Sequence, residues 1–113
     1  MATATFVQDG ESIDYTPTAA VAAGDVVLQG DMIGVARTPI AANALGSLGV
    51  YGIYDFPKAT GAGSGIAVGV NVYWDVADKQ AKTDSETAAN KLIGKTIRAA
   101  ADADATVRVR FLQ

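Results

Sequence analysis

The chain has 113 residues and a net charge of −3, with 19% charged residues against about 25% in an ordinary domain, which fits one domain with one core. It has no cysteine and no histidine, which excludes disulfides, thiolate chemistry, histidine-based triads and most zinc sites. Nine dispersed basic residues against twelve acidic ones give no field that would draw nucleic acid, and the absence of a basic-plus-apolar leader or an 18-residue apolar run predicts neither classical export nor a membrane span.

Residues 1–5, MATAT, read as a flexible arm or as the start of an edge strand, and 6–113 as a single β domain. Phe6-Val7-Gln8 is a short strand and Asp9-Gly10 a two-residue hairpin turn. Ser12 to Tyr15 alternate, with Ile13 and Tyr15 on one side and Ser12 and Asp14 on the other, and Thr16-Pro17 ends the run. The stretch 19–36 holds a turn at Gly24-Asp25, a strand at Val26-Val27-Leu28, a turn at Gly30-Asp31 and a second short strand. The same design returns at 65–75, with Gly69 in the place of Gly24, and more faintly as Leu92-Ile93-Gly94 against Met32-Ile33-Gly34. The spacing is irregular, so this is a likeness of local pattern and not a solenoid.

Residues 40–45, between Pro39 and Gly46, have helical propensity and read as one helical turn or a tight loop, the loop being favoured. Residues 46–58 form the longest β pattern, with Leu48, Val50, Gly52, Tyr54 and Phe56 on one face and Gly49, Tyr51, Ile53 and Asp55 on the other. Both faces are apolar, which marks a central strand or one whose second face meets a partner subunit; its glycines suggest bends. Residues 60–65 read as a hinge-like flexible loop, 77–82 as a turn at Asp78-Lys79 with a short edge strand, and 83–90 as a polar surface loop. Residues 91–99 form a strand containing Gly94, 100–105 a turn, and 106–112 a strand with Val107, Val109 and Phe111 opposite Arg108 and Arg110. Short strands with Gly, Pro and Asp turns at intervals of roughly ten residues predict an all-β barrel or sandwich.

Candidate chemistry is sparse. Asp102 and Asp104 read as a solvated turn, without the ligand pattern of a calcium loop. Gly94-Lys95-Thr96 resembles the end of a phosphate loop, but Ala89 stands where that motif needs glycine. Asp14, Asp55 and Asp75 near strand ends are nominal acid candidates, with turn or cap roles the plainer reading. Arg108 and Arg110 pair with acids on a neighbouring strand or face solvent. Tyr51, Tyr54, Tyr73 and Trp74 serve core and subunit contacts or, on the rarer reading, stack on a ligand. No cofactor is expected.

The chain resembles the phage and prophage capsid cement, or head decoration, proteins. The resemblance is carried by Phe6-Val7-Gln8 with Gly10, Ile13-Asp14-Tyr15-Thr16-Pro17, Ala22-Ala23-Gly24-Asp25-Val26-Val27, Ile33-Gly34-Val35-Ala36, the stretch 69–75, Ile93-Gly94-Lys95 and the tail 102–109. Asn43 stands where such sequences often carry glycine, and Asn also tolerates positive φ. Sequences of this look are sometimes labelled phage recombinases of the RecA or RadA type, which the failed phosphate loop argues against. The resemblance implies a non-enzymatic virion protein, made in the host cytoplasm, that binds the major capsid protein outside the head. It also implies a homo-oligomer, commonly a trimer at three-fold sites. Ala2, Thr3, Ala4, Thr5 and Phe6 are the expected capsid contacts, and Tyr51, Ile53 and Tyr54 the expected subunit contacts. The rival is a virion-associated barrel that binds a host-surface ligand through an exposed cluster at Tyr73-Trp74.

Overall fold

The computed structural model describes residues 4–5, 10–86 and 89–111. Nine strands are assigned among them and no helix: β1 (Ser12–Tyr15), β2 (Val26–Gln29), β3 (Met32–Ala36), β4 (Gly46–Gly49), β5 (Gly52–Pro57), β6 (Asn71–Asp75), β7 (Gln80–Lys82), β8 (Lys91–Thr96) and β9 (Thr106–Phe111). They form two antiparallel sheets, ordered β1-β4-β3-β2 and β5-β9-β8-β6-β7. The second sheet curls until β7 comes within 8 Å of β5, but the two do not pair. The fold is therefore all-β in the two-sheet form, without a closed barrel. The predicted strand Phe6-Val7-Gln8 and Asp9 lie outside the described residues.

The main core fills the concave face of the five-stranded sheet. Phe56, Val72, Trp74, Ala81, Ile93, Val107, Val109 and Phe111 are buried there, and Ile33 and Val35 of β3 join them from the other sheet. Phe56 is the hub of the aromatic packing, with ring centroids 5.9 Å from Phe111, 6.0 Å from Trp74 and 6.2 Å from Tyr54. A smaller core of Ala36, Ile40 and Leu48, with Ile13, Tyr15, Val21 and Val27, lies on the opposite face of the four-stranded sheet. Close backbone approach is required at Gly34, where an added Cβ would stand 2.8 Å from the Leu48 Cβ.

Residues 46–58 do not form one strand. The chain crosses between sheets at Val50-Tyr51, and Gly52, with φ 125°, makes the bend that only glycine adopts without strain. The predicted division into two faces breaks at the crossing, since Leu48 packs in the smaller core, Tyr54 and Phe56 pack in the main one and Gly49 faces the Tyr54 side chain; β5 is moreover an edge strand rather than a central one. The last predicted strand but one ends at Thr96 rather than continuing to residue 99.

The echo within the sequence proves to be a repeated topology. Leaving β7 aside, β1, β2, β3 and β4 stand in the order first-fourth-third-second, and so do β5, β6, β8 and β9. Gly24 (φ 90°) donates its N–H to the Ala36 carbonyl at 2.6 Å, and Gly69 (φ 77°) donates to that of Thr96 at 2.9 Å. The Ala36 N–H donates to Asp25 O, and that of Thr96 to Val70 O. Isolated bridges follow at the same relative positions, Val21 with Ile40 and Ile66 with Ala100. The inserted β7 hairpin explains the irregular spacing, because residues 76–90 lie between the matched strands β6 and β8.

Candidate interaction surface

The acids named from the sequence do not converge. Asp14 is exposed on β1. Asp55 lies opposite Arg108 in the β5–β9 ladder, where Arg108 Nε and Nη2 donate to its carboxylate at 2.9 and 3.0 Å. That hydrogen-bonded pairing holds the Asp55 carboxyl below its usual range and raises the Arg108 guanidinium. Asp75 accepts from Lys82 Nζ at 2.8 Å and from the Asp78 N–H at 3.0 Å. Among the described residues no three acids gather as a metal site.

Asp75 gives the fold an acid limit. Its bond to Lys82, with help from the Asp78 amide, lowers its carboxyl from 3.8 to about 2. A carboxyl depressed on folding stabilises the native state above the unfolded value and loses that contribution as protons bind. Stability should therefore decline as pH falls from about 4 to about 2. Acid titration followed by Trp74 fluorescence should show a shallower decline in Asp75→Asn, which lacks that titration; an identical profile would assign acid sensitivity to other groups.

The loops at one end are tied, not hinged. The Asp102 carboxylate accepts the N–H of Gly65 at 2.7 Å and of Gly63 at 3.3 Å, and its carbonyl accepts the Gly61 N–H. Residues 60–65 are thus tied to the 100–105 turn rather than hinge-like, while Asp102 stays exposed in a turn, as read, and adds these bonds. Asp104 caps its own turn through the Ala101 N–H at 2.8 Å. Lys58, only 4% exposed, donates to the carbonyls of Ala59, Asp104 and Ala101 at 2.7, 2.8 and 3.0 Å. Nothing in the sequence around Lys58 signals this role, because its partners are backbone atoms of distant loops. Gly94-Lys95-Thr96 lies within β8, with no helix following.

Of the expected subunit contacts, Tyr51 and Ile53 are exposed at 44% and 60%, while Tyr54 is half-buried with its ring 5.7 Å from Phe111. Trp74 is buried against Phe56, so the exposed aromatic cluster that the host-ligand alternative requires is not formed. Of the expected capsid contacts, Ala4 and Thr5 are exposed; Ala2, Thr3 and Phe6 lie outside the described residues.

What remains is the outer face of the five-stranded sheet. Register aligns Ile53, Arg110, Lys95 and Asn71 across four strands, and all four are exposed. Exposed Leu92 and Ile97 flank a shallow, mainly apolar depression of about 300 Å³ beside Lys95 and Arg110. At its Ile53 end the face continues to Tyr51 and Arg37 around a second depression. Lys95 and Arg110 stand directly opposite one another, and neither forms an ion pair with a described residue. Like charges directly opposite one another destabilise a sheet, in contrast to the neutralised Asp55–Arg108 pair alongside. Arg110 was legible as outward-facing. Lys95 was not, because the β6–β8 register slips by one between Val72 and Tyr73, leaving Ile93 as a bulge that resets the alternation.

The described residues thus offer an exposed apolar and basic sheet face. The profile of the phage cement protein family matches residues 7–111. The chain belongs to that family. Searches of curated proteins and of solved structures return no match. Membership makes this a capsid-stabilising structural protein of phage and places it at the virion capsid. The match lends no support to the recombinase label.

Proposed function

We propose that the protein binds the outside of the phage head through the major capsid protein and reinforces it, as a trimer seated at the three-fold sites between capsomers. The family match over residues 7–111 carries the reading. The shape supports it. The molecule measures 50 × 38 × 25 Å, and its radius of gyration is 15.2 Å against roughly 13 Å for a compact domain of this length. A flat molecule covers more lattice for its mass. A protein that binds only the assembled shell stabilises it by mass action, and a three-fold ring repeats each contact three times on a three-fold site. The exposed Tyr51 and Ile53 serve the contacts between subunits, with Tyr54 buttressing them from the core. The arm with Ala2, Thr3, Ala4, Thr5 and Phe6 reaches the capsid. No catalysis, nucleic acid or membrane enters this role, and synthesis is in the host cytoplasm.

Particles stripped of the protein test the reading. Adding back the purified chain should restore their resistance to heat or to chelator-induced disruption, saturating at a fixed number of copies per particle. Particles that neither bind the chain nor gain resistance would contradict it.

A further inference from the structure

The two halves of the chain share one topology, yet only one has its second face covered. In the four-stranded half that face carries Ile33 and Val35, buried against the five-stranded sheet. The matching bonds at Ala36 and Thr96 place Lys95 at the position equivalent to Val35. Val35 is buried, whereas Lys95 is exposed beside Arg110.

We propose that a second copy of this chain covers the outer face of the five-stranded sheet with its four-stranded half, head to tail. Within the chain, the four-stranded half already lies against the five-stranded one. The proposed contact sets the same two kinds of half side by side again, between copies. The charges complement each other. Residues 10–50 carry Glu11, Asp14, Asp25 and Asp31 against the single cation Arg37, whereas residues 51–111 carry eight basic residues against seven acidic ones. Glu11 and Asp14 are exposed and form no ion pair with a described residue, so they are available to meet Lys95 and Arg110. A two-fold contact centred on this face would set Lys95 and Arg110 against themselves. A head-to-tail contact avoids that, and such contacts close into rings. A ring of three would alternate six topologically equivalent halves. This rests on the ring in the reading above and specifies which faces meet.

Light scattering on the purified full chain, across a concentration series at low and high salt, tests it without any capsid present. The wild type should form a species of three or more copies that dissociates as salt rises. Lys95→Glu with Arg110→Glu should lower the mass to that of a monomer while leaving the circular dichroism and melting temperature of the chain near those of the dissociated wild type. Reversing Glu11→Lys and Asp14→Lys in that same chain should restore the ring. A wild type that stays monomeric at every concentration, a closed dimer, or a charge-reversed chain that keeps the wild-type mass would overturn the proposal. Particle binding is read in the separate experiment above, so failure there with an intact ring would count against the capsid role alone.

Discussion

Replacing Lys58 with methionine should lower the melting temperature by about 10–15 °C. The lysine amine is buried and satisfies three backbone carbonyls, one beside it and two across the chain in the 99–105 loop. Methionine keeps most of the stem but no donor, so three part-buried bonds to a charged amine, worth about 1.5–3 kcal/mol each, are lost, partly offset because water reaches the carbonyls and that of Ala101 keeps the Asp104 N–H. A net loss of about 3 kcal/mol corresponds to that shift for a domain of this size. Arginine should not rescue it, because a planar fork does not reproduce three donors around one nitrogen. Differential scanning calorimetry gives the number, and limited proteolysis gives the place: cleavage should rise at 57–65 and 99–105 first. An unchanged melting temperature would mean that the two loops hold together through the Asp102 bonds and the Ile66–Ala100 bridge without Lys58.

Phe56→Ala should cost about 3–5 kcal/mol. The side chain is 1% exposed and stands between Tyr54, Trp74 and Phe111, so its removal opens a cavity that β5, an edge strand, and its neighbours can only partly close. Against a total stability of about 5–15 kcal/mol, this is a large fraction of what holds the chain folded. Urea unfolding followed by Trp74 fluorescence should show the midpoint moving sharply down. Phe56→Leu, which retains most of the volume, should lose well under half as much. Equal losses for alanine and leucine would show that the aromatic geometry, rather than the filled volume, holds this core.

The strands were largely legible because their signals are local. Val107, Val109 and Phe111 against Arg108 and Arg110 announce a half-buried strand, and β9 is one. Gly30-Asp31 announces a two-residue turn, and Gln29 pairs with Met32 across it, with Gly30 at φ 60°. Asn43, read as tolerant of positive φ, adopts 63°. What was not legible depends on contacts distant in sequence. The pattern over 46–58 is continuous in period, and nothing local says that the chain changes sheets at Val50-Tyr51. Asp102 reads as a turn residue and Lys58 as the end of a β pattern, and neither signals that the fold brings two loops together around them. The half-to-half likeness was visible in single glycines, but the β7 hairpin broke its spacing and hid a shared topology. The interaction face was half visible: Ile53 and Arg110 pointed outward by alternation, while the bulge at Ile93 concealed that Lys95 joins them.

These features have one common consequence. The folded chain pairs several of its charges in place, as with Asp55–Arg108, Asp75–Lys82 and Asp31–Lys91, the last joining the two sheets. It leaves one apolar face with two adjacent unpaired cations, a surface more stable covered than bare. A protein whose task is to hold other chains together has reason to keep such a face.

The most direct measurement is a quantitative protein inventory of purified virions, or of particles induced from the host. The account predicts an 11.5 kDa chain at a level comparable to the major capsid protein, retained after washing and lost only when the head itself is disrupted. A chain that is expressed during infection yet absent from purified particles would contradict it.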